Sequence, residues 1–223
     1  LVYQVFPGIE LVYNDMHMEY CNKNQKTASN VMEINYCKEG RCECLFGKGQ
    51  YCYMSAGDLS FCSLQDSSHQ SEFPTSHYHG ITITISFSMI TDEMKKVLEL
   101  LSVDLERIKA LSDMRDFTII RANKTIEHIF SELYMIPEAI RLGYIRVKVL
   151  ELLLVLTEAR FIEGMTETSE RLHFSEAHID TIKQIHTFLV KNYGEHYTID
   201  YLAEHYNISP TVMKKCFKGV YGE

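Results

Sequence analysis

The chain has 223 residues, a formal net charge of −8 and a hydrophobic content of 46%. This composition is typical of a globular protein and excludes an intrinsically disordered one. The negative net charge argues against nucleic acid contacting the whole surface, but it is compatible with a local basic patch. No uninterrupted apolar run approaches the roughly 20 residues that cross a bilayer, and the seven cysteines make no even disulfide set. We therefore expect reduced thiols in a cytoplasmic protein without a membrane partner.

Residues 1–90 alternate between apolar and polar positions in short runs, which predicts antiparallel strands in a barrel or sandwich. The predicted strands are Met32–Cys37, Arg41–Phe46, Tyr51–Met54, Leu59–Ser63 and Ile81–Phe87, with turns at Lys38–Arg41, Gly47–Gly49 and Ser55–Asp58. On the last strand the isoleucines 81, 83 and 85 share one face. We expect that face to fill the barrel.

Polar and aromatic residues on these strands are candidates to line an effector pocket, although each aromatic residue also suits an ordinary core. The candidate pocket residues are Tyr36, Arg41, Glu43, Tyr51, Tyr53, Phe61, His77 and His79. His77 and His79 form an H-x-H pattern whose imidazoles point to one side, as a metal site requires. His69 and Glu72 lie nearby in sequence, but no further ligand stands at a convincing spacing. Hydrogen-bonded histidines are favoured over a metal site, and no cofactor is expected.

Five cysteines also cluster in this region, at positions 37, 42, 44, 52 and 62. Thiolates bind zinc and copper(I), so a metal or thiol sensor is one interpretation. Paired C-x-x-C motifs are missing, which favours buried cysteines that act as small hydrophobic residues.

From about Thr91 the apolar period becomes helical, and residues 91–163 predict a helical region. Two short helices are expected near Met94–Leu101 and Ile126–Leu133, and Pro137 opens a long helix that runs to about Arg160. The long helix carries more than one apolar stripe. One stripe is expected to pack on the barrel and another on a second subunit. The candidate dimer contacts are Tyr144, Val147, Leu150 and Leu154.

Residues 164–174 predict a linker, and residues 175–223 predict a small helical domain. A helix is expected over about Ser175–Tyr193, followed by two short helices that a tight turn joins. Thr198 suits the N-cap of the first short helix, and Asn207 suits the left-handed residue that ends it. Ser209 suits the next N-cap, with Pro210 in the first turn.

The second short helix has two different faces. Met213, Phe217 and Val220 recur at helical spacing and form an apolar face. The opposite face is polar and basic, and no acidic residue interrupts the helix; it consists of Thr211, Lys214, Lys215 and Lys218. A helix with these two faces, held across a tight turn by a partner helix, is the helix-turn-helix arrangement that reads the major groove. A plain helical hairpin with a solvated lysine face is the alternative.

This segment resembles the first helix-turn-helix of the AraC/XylS family of transcription regulators. The matching elements are Leu202-Ala203, Ile208-Ser209-Pro210, and Phe217-Lys218 followed by Tyr221-Gly222. The resemblance implies base contacts from Thr211, Lys214 and Lys215, with Lys218 on phosphate and Ser209 at the start of the recognition helix. The family also has the same order of parts: a cupin-like barrel that binds an effector, helices that form a dimer, and a DNA-binding domain.

The resemblance implies an α+β fold. Its expected parts are an N-terminal cupin-like antiparallel β-barrel over residues 1–90, dimerisation helices, and a partial C-terminal all-α helix-turn-helix domain. The expected function is a ligand-responsive, sequence-specific DNA-binding transcription regulator, and the expected partners are double-stranded DNA, a small-molecule effector and a second copy of the chain. The alternative is a metal-dependent cupin enzyme with a helical appendage. No nucleophile–base pair, phosphate loop or carboxylate dyad indicates an enzyme.

Family members carry two helix-turn-helix units that a long helix joins. This sequence ends at Glu223, where the joining helix is expected to begin. The chain is then either a piece of a longer protein or a regulator without the second unit, which would act by forming heterodimers.

Overall fold

The structure is a computed structural model that describes residues 1–22, 30–46, 50–64, 70–113, 117–158 and 174–222. Within these ranges the chain is a mixed α/β fold with antiparallel strand pairing. The strands are β1 Val2–Phe6, β2 Ile9–Met16, β3 Tyr20–Asn22, β4 Val31–Phe46, β5 Gln50–Ser55, β6 Asp58–Ser63, β7 Gln70–Glu72, β8 Tyr78–Ser86, β9 Phe117–Arg121 and β10 Phe174–Ser175. The α-helices are α1 Asp92–Leu100, α2 Leu105–Asp113, α3 Lys124–Tyr134, α4 Arg141–Thr157, α5 Glu176–Lys191, α6 Ile199–His205 and α7 Pro210–Tyr221. None of the helices described in these ranges is both long and apolar enough to cross a membrane.

The long strand β4 belongs to two sheets. The first sheet has the order β1-β2-β8-β4-β6-β9, and it uses the first half of β4. The second sheet has the order β3-β7-β4-β5-β10, and it uses the second half. A small core joins the two sheets, where Cys37 and Tyr78 of the first meet Cys52, Met54 and Phe73. We call the surface between the sheets the inner face.

The predicted turn at Lys38–Arg41 is wrong, because β4 runs through it without a break. A β-bulge between Cys37 and Glu39 shifts the pairing with β8 by one residue. Gly40 lies next to the bulge with φ of 81°, a conformation that other residues rarely adopt. A Cβ at this position would lie 2.0 Å from the carbonyl oxygen of His77, so the close approach of the two strands also requires glycine.

The largest core lies between the first sheet and the helices α1–α4. Ile81, Ile83 and Ile85 are fully buried in it, so they pack against the helices and do not fill the space between the sheets. The expectation for the isoleucine face is therefore wrong, because these side chains pack against the apolar faces of the helices. Strand β9 was not predicted; it lies within the helical region and pairs with β6.

Helix α4 starts later than predicted. Pro137 precedes a short 3-10 turn at Glu138–Ile140, and the α-helix begins at Arg141. One apolar stripe is completely buried against the sheet, and it contains Ile145, Val149, Leu152 and Leu156. The other stripe is only partly covered: Tyr144 and Leu150 pack at the edge of the core, whereas Val147 is 60% exposed and Leu154 is 46% exposed.

The three C-terminal helices have their own core, which also includes Tyr53 of β5 and Phe174 of β10. The predicted linker lies outside the described residues except for Phe174. There the backbone pairs with β5, with Phe174 opposite Tyr51. This short strand therefore attaches the start of the helical segment to the edge of the second sheet.

Candidate functional sites

The helices α6 and α7 have the local structure that their end residues predict. The Thr198 hydroxyl accepts a hydrogen bond from the amide of Tyr201, and the Ser209 hydroxyl accepts one from the amide of Val212. Asn207 adopts the left-handed conformation with φ of 51°. Pro210 occupies the first turn of α7, where no amide donor is needed. Serine and threonine N-caps each stabilise a helix by about 1 kcal/mol, so these residues define where both helices begin.

Helix α7 separates its two faces as expected. Met213 and Val220 are buried in the C-terminal core, and Phe217 is partly buried. Cys216 is also buried there, although it does not belong to the predicted apolar face. The opposite face is exposed, and it consists of Thr211, Lys214, Lys215 and Lys218. We call these four residues the basic face.

The C-terminal end of α7 contacts the first half of the chain. The Arg41 guanidinium donates a hydrogen bond to the carbonyl oxygen of Gly219, and a Cβ on Gly222 would lie 2.9 Å from Arg41 Nε. A cation at this position is favourable, because the last carbonyls of a helix carry partial negative charge. Tyr221 stacks on His186 of α5 with the ring centroids 4.0 Å apart.

A partly buried charge network joins α5 to the second sheet. Lys183 Nζ lies 2.9 Å from Glu43 Oε1 and 2.7 Å from Glu72 Oε2. The Tyr53 hydroxyl also donates to Glu43. Burial raises the pKa of Glu43, and the hydrogen bonds from Tyr53 and Lys183 partly offset this rise. Burial lowers the pKa of Lys183, but its hydrogen bonds to Glu72 and Glu43 raise it overall.

A polar row crosses the inner face of the first sheet. Thr82 donates to the side-chain oxygen of Asn35 at 2.7 Å, and it accepts from the side-chain amide of Asn14, also at 2.7 Å. Ser60 pairs with Asn35 in register, so it continues the row. The Ser60 side chain is completely buried, and its Oγ has no hydrogen-bond partner among the described residues. The sequence shows these residues only as the polar half of an alternating strand.

The candidate pocket residues lie in three separate places, and none of these places is the polar row. Tyr36 and Phe61 lie in the core against the helices, where Tyr36 stacks on Phe130 at 4.2 Å. Four others face the C-terminal helices: Arg41, Glu43, Tyr51 and Tyr53. His77 and His79 lie on the outer face of the first sheet beside acidic residues, whereas Tyr78 between them points to the inner face.

No disulfide joins any two of the seven cysteines. Cys37 and Cys52 are buried in the core between the two sheets, and Cys42 and Cys44 pack against that core. Burial raises the pKa of the Cys37 thiol to about 12, so this residue stays protonated near neutral pH. A protonated buried thiol behaves as a small hydrophobic side chain.

Comparison with known proteins gives structural neighbours only. No family model and no curated protein matches the chain. ToxT from Vibrio cholerae is similar at 10% identity over 96% of this chain and 76% of that chain, with a TM-score of 0.44. The AraC-like transcriptional activator CuxR has 11% identity over 97% and 72% of the two chains, with a TM-score of 0.43. The Clostridium difficile EutQ protein has 19% identity over 38% and 56%, with a TM-score of 0.29. These TM-scores are low, so function has to be argued from the residues of this chain.

The charge network predicts the effect of removing its cation. Lys183→Met leaves Glu43, whose side chain is 4% exposed, without a charged partner. We expect the free energy of unfolding to fall by about 1–3 kcal/mol. This is less than the cost of breaking a fully buried pair, because the Lys183 side chain is 34% exposed and solvent screens the interaction.

Urea denaturation of the whole chain measures this loss. The matched control is Lys96→Met on α1, an exposed lysine whose removal should change the free energy of unfolding by less than about 0.5 kcal/mol. Equal losses in the two variants would contradict a stabilising role for the network.

Proposed function

We propose that the chain is a ligand-responsive transcription regulator of the AraC type, in which α6 and α7 form a helix-turn-helix that binds double-stranded DNA. The observation that carries the proposal is the basic face of α7. It presents three lysines and a threonine to solvent, opposite a face that is buried against α5 and α6. Lysine donates hydrogen bonds to guanine edges and to phosphates, so this face suits the major groove.

The overall acidity of the chain is compatible with this role. Phosphate contacts depend on the charge of the surface that docks, and the basic face contains no acidic residue. Lys214 and Lys215 are assigned to base edges, and Lys218, which is one turn further along, is assigned to phosphate. Ser209 caps the start of this helix, and this end is assigned to the DNA backbone.

DNA binding by selected duplexes tests the proposal. A duplex enriched from a random library by the whole chain serves as the probe. Lys214→Ala and Lys215→Ala should each weaken specific binding by about 1–3 kcal/mol, because each removes a base contact. Lys218→Ala should weaken binding to all sequences. It should also reduce the number of counterions released on binding, which the salt dependence of the affinity measures, by about one.

The matched control for the DNA experiment is Lys96→Ala, which removes an equal charge from an exposed position on α1. It should leave the affinity unchanged within about 0.5 kcal/mol. Circular dichroism verifies that each variant is folded. If the lysines of α7 and Lys96 have the same effect, or if no duplex is enriched, α7 is not a recognition helix.

We also propose that the chain forms a homodimer through α4. Val147 and Leu154 are exposed apolar residues on one side of this helix, with Tyr144 and Leu150 half-buried beside them. Apolar residues that share one exposed helix face can form a patch of the kind that marks an interaction site.

Sedimentation at roughly tens of micromolar tests the dimer, since a complex with a micromolar Kd is assembled there. The double variant Val147→Glu, Leu154→Glu should sediment as a monomer, because it would bury two charges without partners. Leu100→Glu is the control: this residue is 85% exposed on α1, and its variant should remain dimeric. A wild-type monomer, or a dimer in all variants, would contradict the proposed contact.

We propose that the effector of this regulator binds at the inner face, beside the polar row. Asn14, Asn35, Thr82 and Ser60 supply hydrogen-bonding groups there, and the buried apolar core of Met54, Phe73 and Tyr78 borders them. A small organic molecule with an apolar body and one or two polar groups suits such a lining. Its binding would shift the population of conformations that can bind DNA.

Two substitutions that each delete one hydroxyl group test the polar row. Thr82→Val removes the partner of two amide side chains and should lower the free energy of unfolding by about 1–3 kcal/mol. Ser60→Ala removes a hydroxyl without a described protein partner, so the stability should stay the same or rise by about 1 kcal/mol.

A thermal-shift screen of organic compounds on the whole chain completes the effector test. A compound that binds the folded state raises the melting temperature. Ser60→Ala should reduce this rise while it leaves the ligand-free stability intact. A compound whose effect is the same with and without the Ser60 hydroxyl would not occupy the polar row.

A further inference from the structure

Five side chains meet on the outer face of the first sheet, away from the polar row. His79 on β8 lies in register between Asp15 of β2 on one side and Glu39 of β4 on the other. His17 follows β2, and His77 precedes β8. Neither DNA binding, dimerisation nor the inner effector site uses these residues. The imidazoles are about one-third exposed at His77 and His79, so small solutes can reach them.

Asp15 determines which nitrogen carries the proton on two of the imidazoles. Its Oδ1 lies 2.6 Å from His79 Nε2 and 3.0 Å from His17 Nε2. A carboxylate only accepts hydrogen bonds, so both Nε2 atoms donate to it. A neutral imidazole has a single N–H group, and Nδ1 of each ring therefore has a free lone pair.

The position of the proton on the His77 ring follows from its position on the His17 ring. His77 Nδ1 lies 3.4 Å from His17 Nδ1. Since His17 Nδ1 has the lone pair, His77 Nδ1 is the donor in this contact, and His77 Nε2 is left as an acceptor. One set of proton positions is therefore compatible with every short contact in the cluster.

This arrangement directs three acceptors toward one another. Glu39 Oε2 lies 3.8 Å from His77 Nε2 and 4.0 Å from His79 Nδ1. One ligand atom from each of Glu39, His77 and His79 lies within 4.8 Å of the other two. These separations are too long for hydrogen bonds. Ligands bound at 2.0–2.2 Å from a tetrahedral ion are about 3.3–3.6 Å apart, so small side-chain movements would close the set around a cation.

We propose that Glu39, His77 and His79 bind one divalent first-row transition-metal ion, with Asp15 and His17 as positioning residues. Two imidazoles and a carboxylate suit ions such as Zn²⁺. Histidine ligands commonly donate their other ring N–H to a carboxylate, which holds the ring in place, and His79 does this directly to Asp15. Lys38 lies 3.4 Å from the other carboxylate oxygen, Glu39 Oε1, so Oε2 remains available to the ion.

Calorimetric titration of the chelator-treated whole chain with Zn²⁺ tests the site. We expect one ion per chain at this site. His79→Ala and Glu39→Gln should each weaken its binding at least tenfold, and Glu39→Gln keeps the shape of the side chain in case His79→Ala perturbs the fold. His178→Ala removes an exposed histidine on α5 and should leave the affinity unchanged.

Asp15→Asn distinguishes positioning from ligation. It should weaken Zn²⁺ binding by about 10–100-fold while the stoichiometry stays at one ion, as for other groups that orient metal-bound histidines. Equal Zn²⁺ affinity in the wild type, Glu39→Gln and His79→Ala would overturn the proposal, as would the absence of Zn²⁺ binding to the wild type.

Co²⁺ provides a second measurement that identifies the ligands. Binding at the proposed site should give ligand-field absorption without thiolate-to-cobalt charge transfer, because no cysteine belongs to the set. The ligand-field bands should disappear in Glu39→Gln and persist in His178→Ala. Thiolate charge-transfer bands that survive in Glu39→Gln would place the ion on the cysteines and overturn the proposal.

Discussion

A single β-bulge in β4 determines which side chains of this strand reach each face of the two sheets. Before the bulge, Asn35 and Cys37 point to the inner face and Tyr36 points to the helices. Side chains alternate along a strand, so an inserted residue exchanges the two faces beyond it. After the bulge, Cys42 points inward, and three charged residues point outward: Glu39, Arg41 and Glu43. Without the extra residue these charges would lie between the sheets, where their desolvation would be costly.

The C-terminal helices could be predicted from the sequence because their signals are local. An N-cap, a left-handed asparagine and a proline in the first turn each act within a few residues. The observed contacts of Thr198, Asn207 and Ser209 agree with those signals. The basic face of α7 can be predicted from the helical period alone, because the residues on the other side of the helix are apolar. For the same reason helix α3 was predicted. The start of α4 was predicted too early, because a 3-10 turn follows Pro137 before the α-helix begins.

The arrangement around the sheets could not be predicted in the same way. Alternation shows that isoleucines and threonines of β8 lie on opposite faces, but it does not say which face meets the helices. The sequence K-E-G-R resembles a turn, and only pairing with β8 makes it a bulge. The cluster around His79 joins residues from three strands, so Asp15, His17 and Glu39 are far from the H-x-H pattern in sequence. No local pattern brings them together.

The second half of β4 also provides a physical route between the sheets and the C-terminal helices. Arg41 contacts the end of α7, and Glu43 is linked to Lys183 of α5. On the same strand, Asn35 belongs to the polar row, and Glu39 belongs to the histidine cluster. Hydrogen bonds to β8 hold the strand from Val31 to Gly40, and hydrogen bonds to β5 hold it from Arg41 to Phe46. A ligand that moves Asn35 or Glu39 would act on the same strand that carries Arg41 and Glu43. In the proposed regulator, such a change would alter how α7 is held and thereby the presentation of its basic face to DNA.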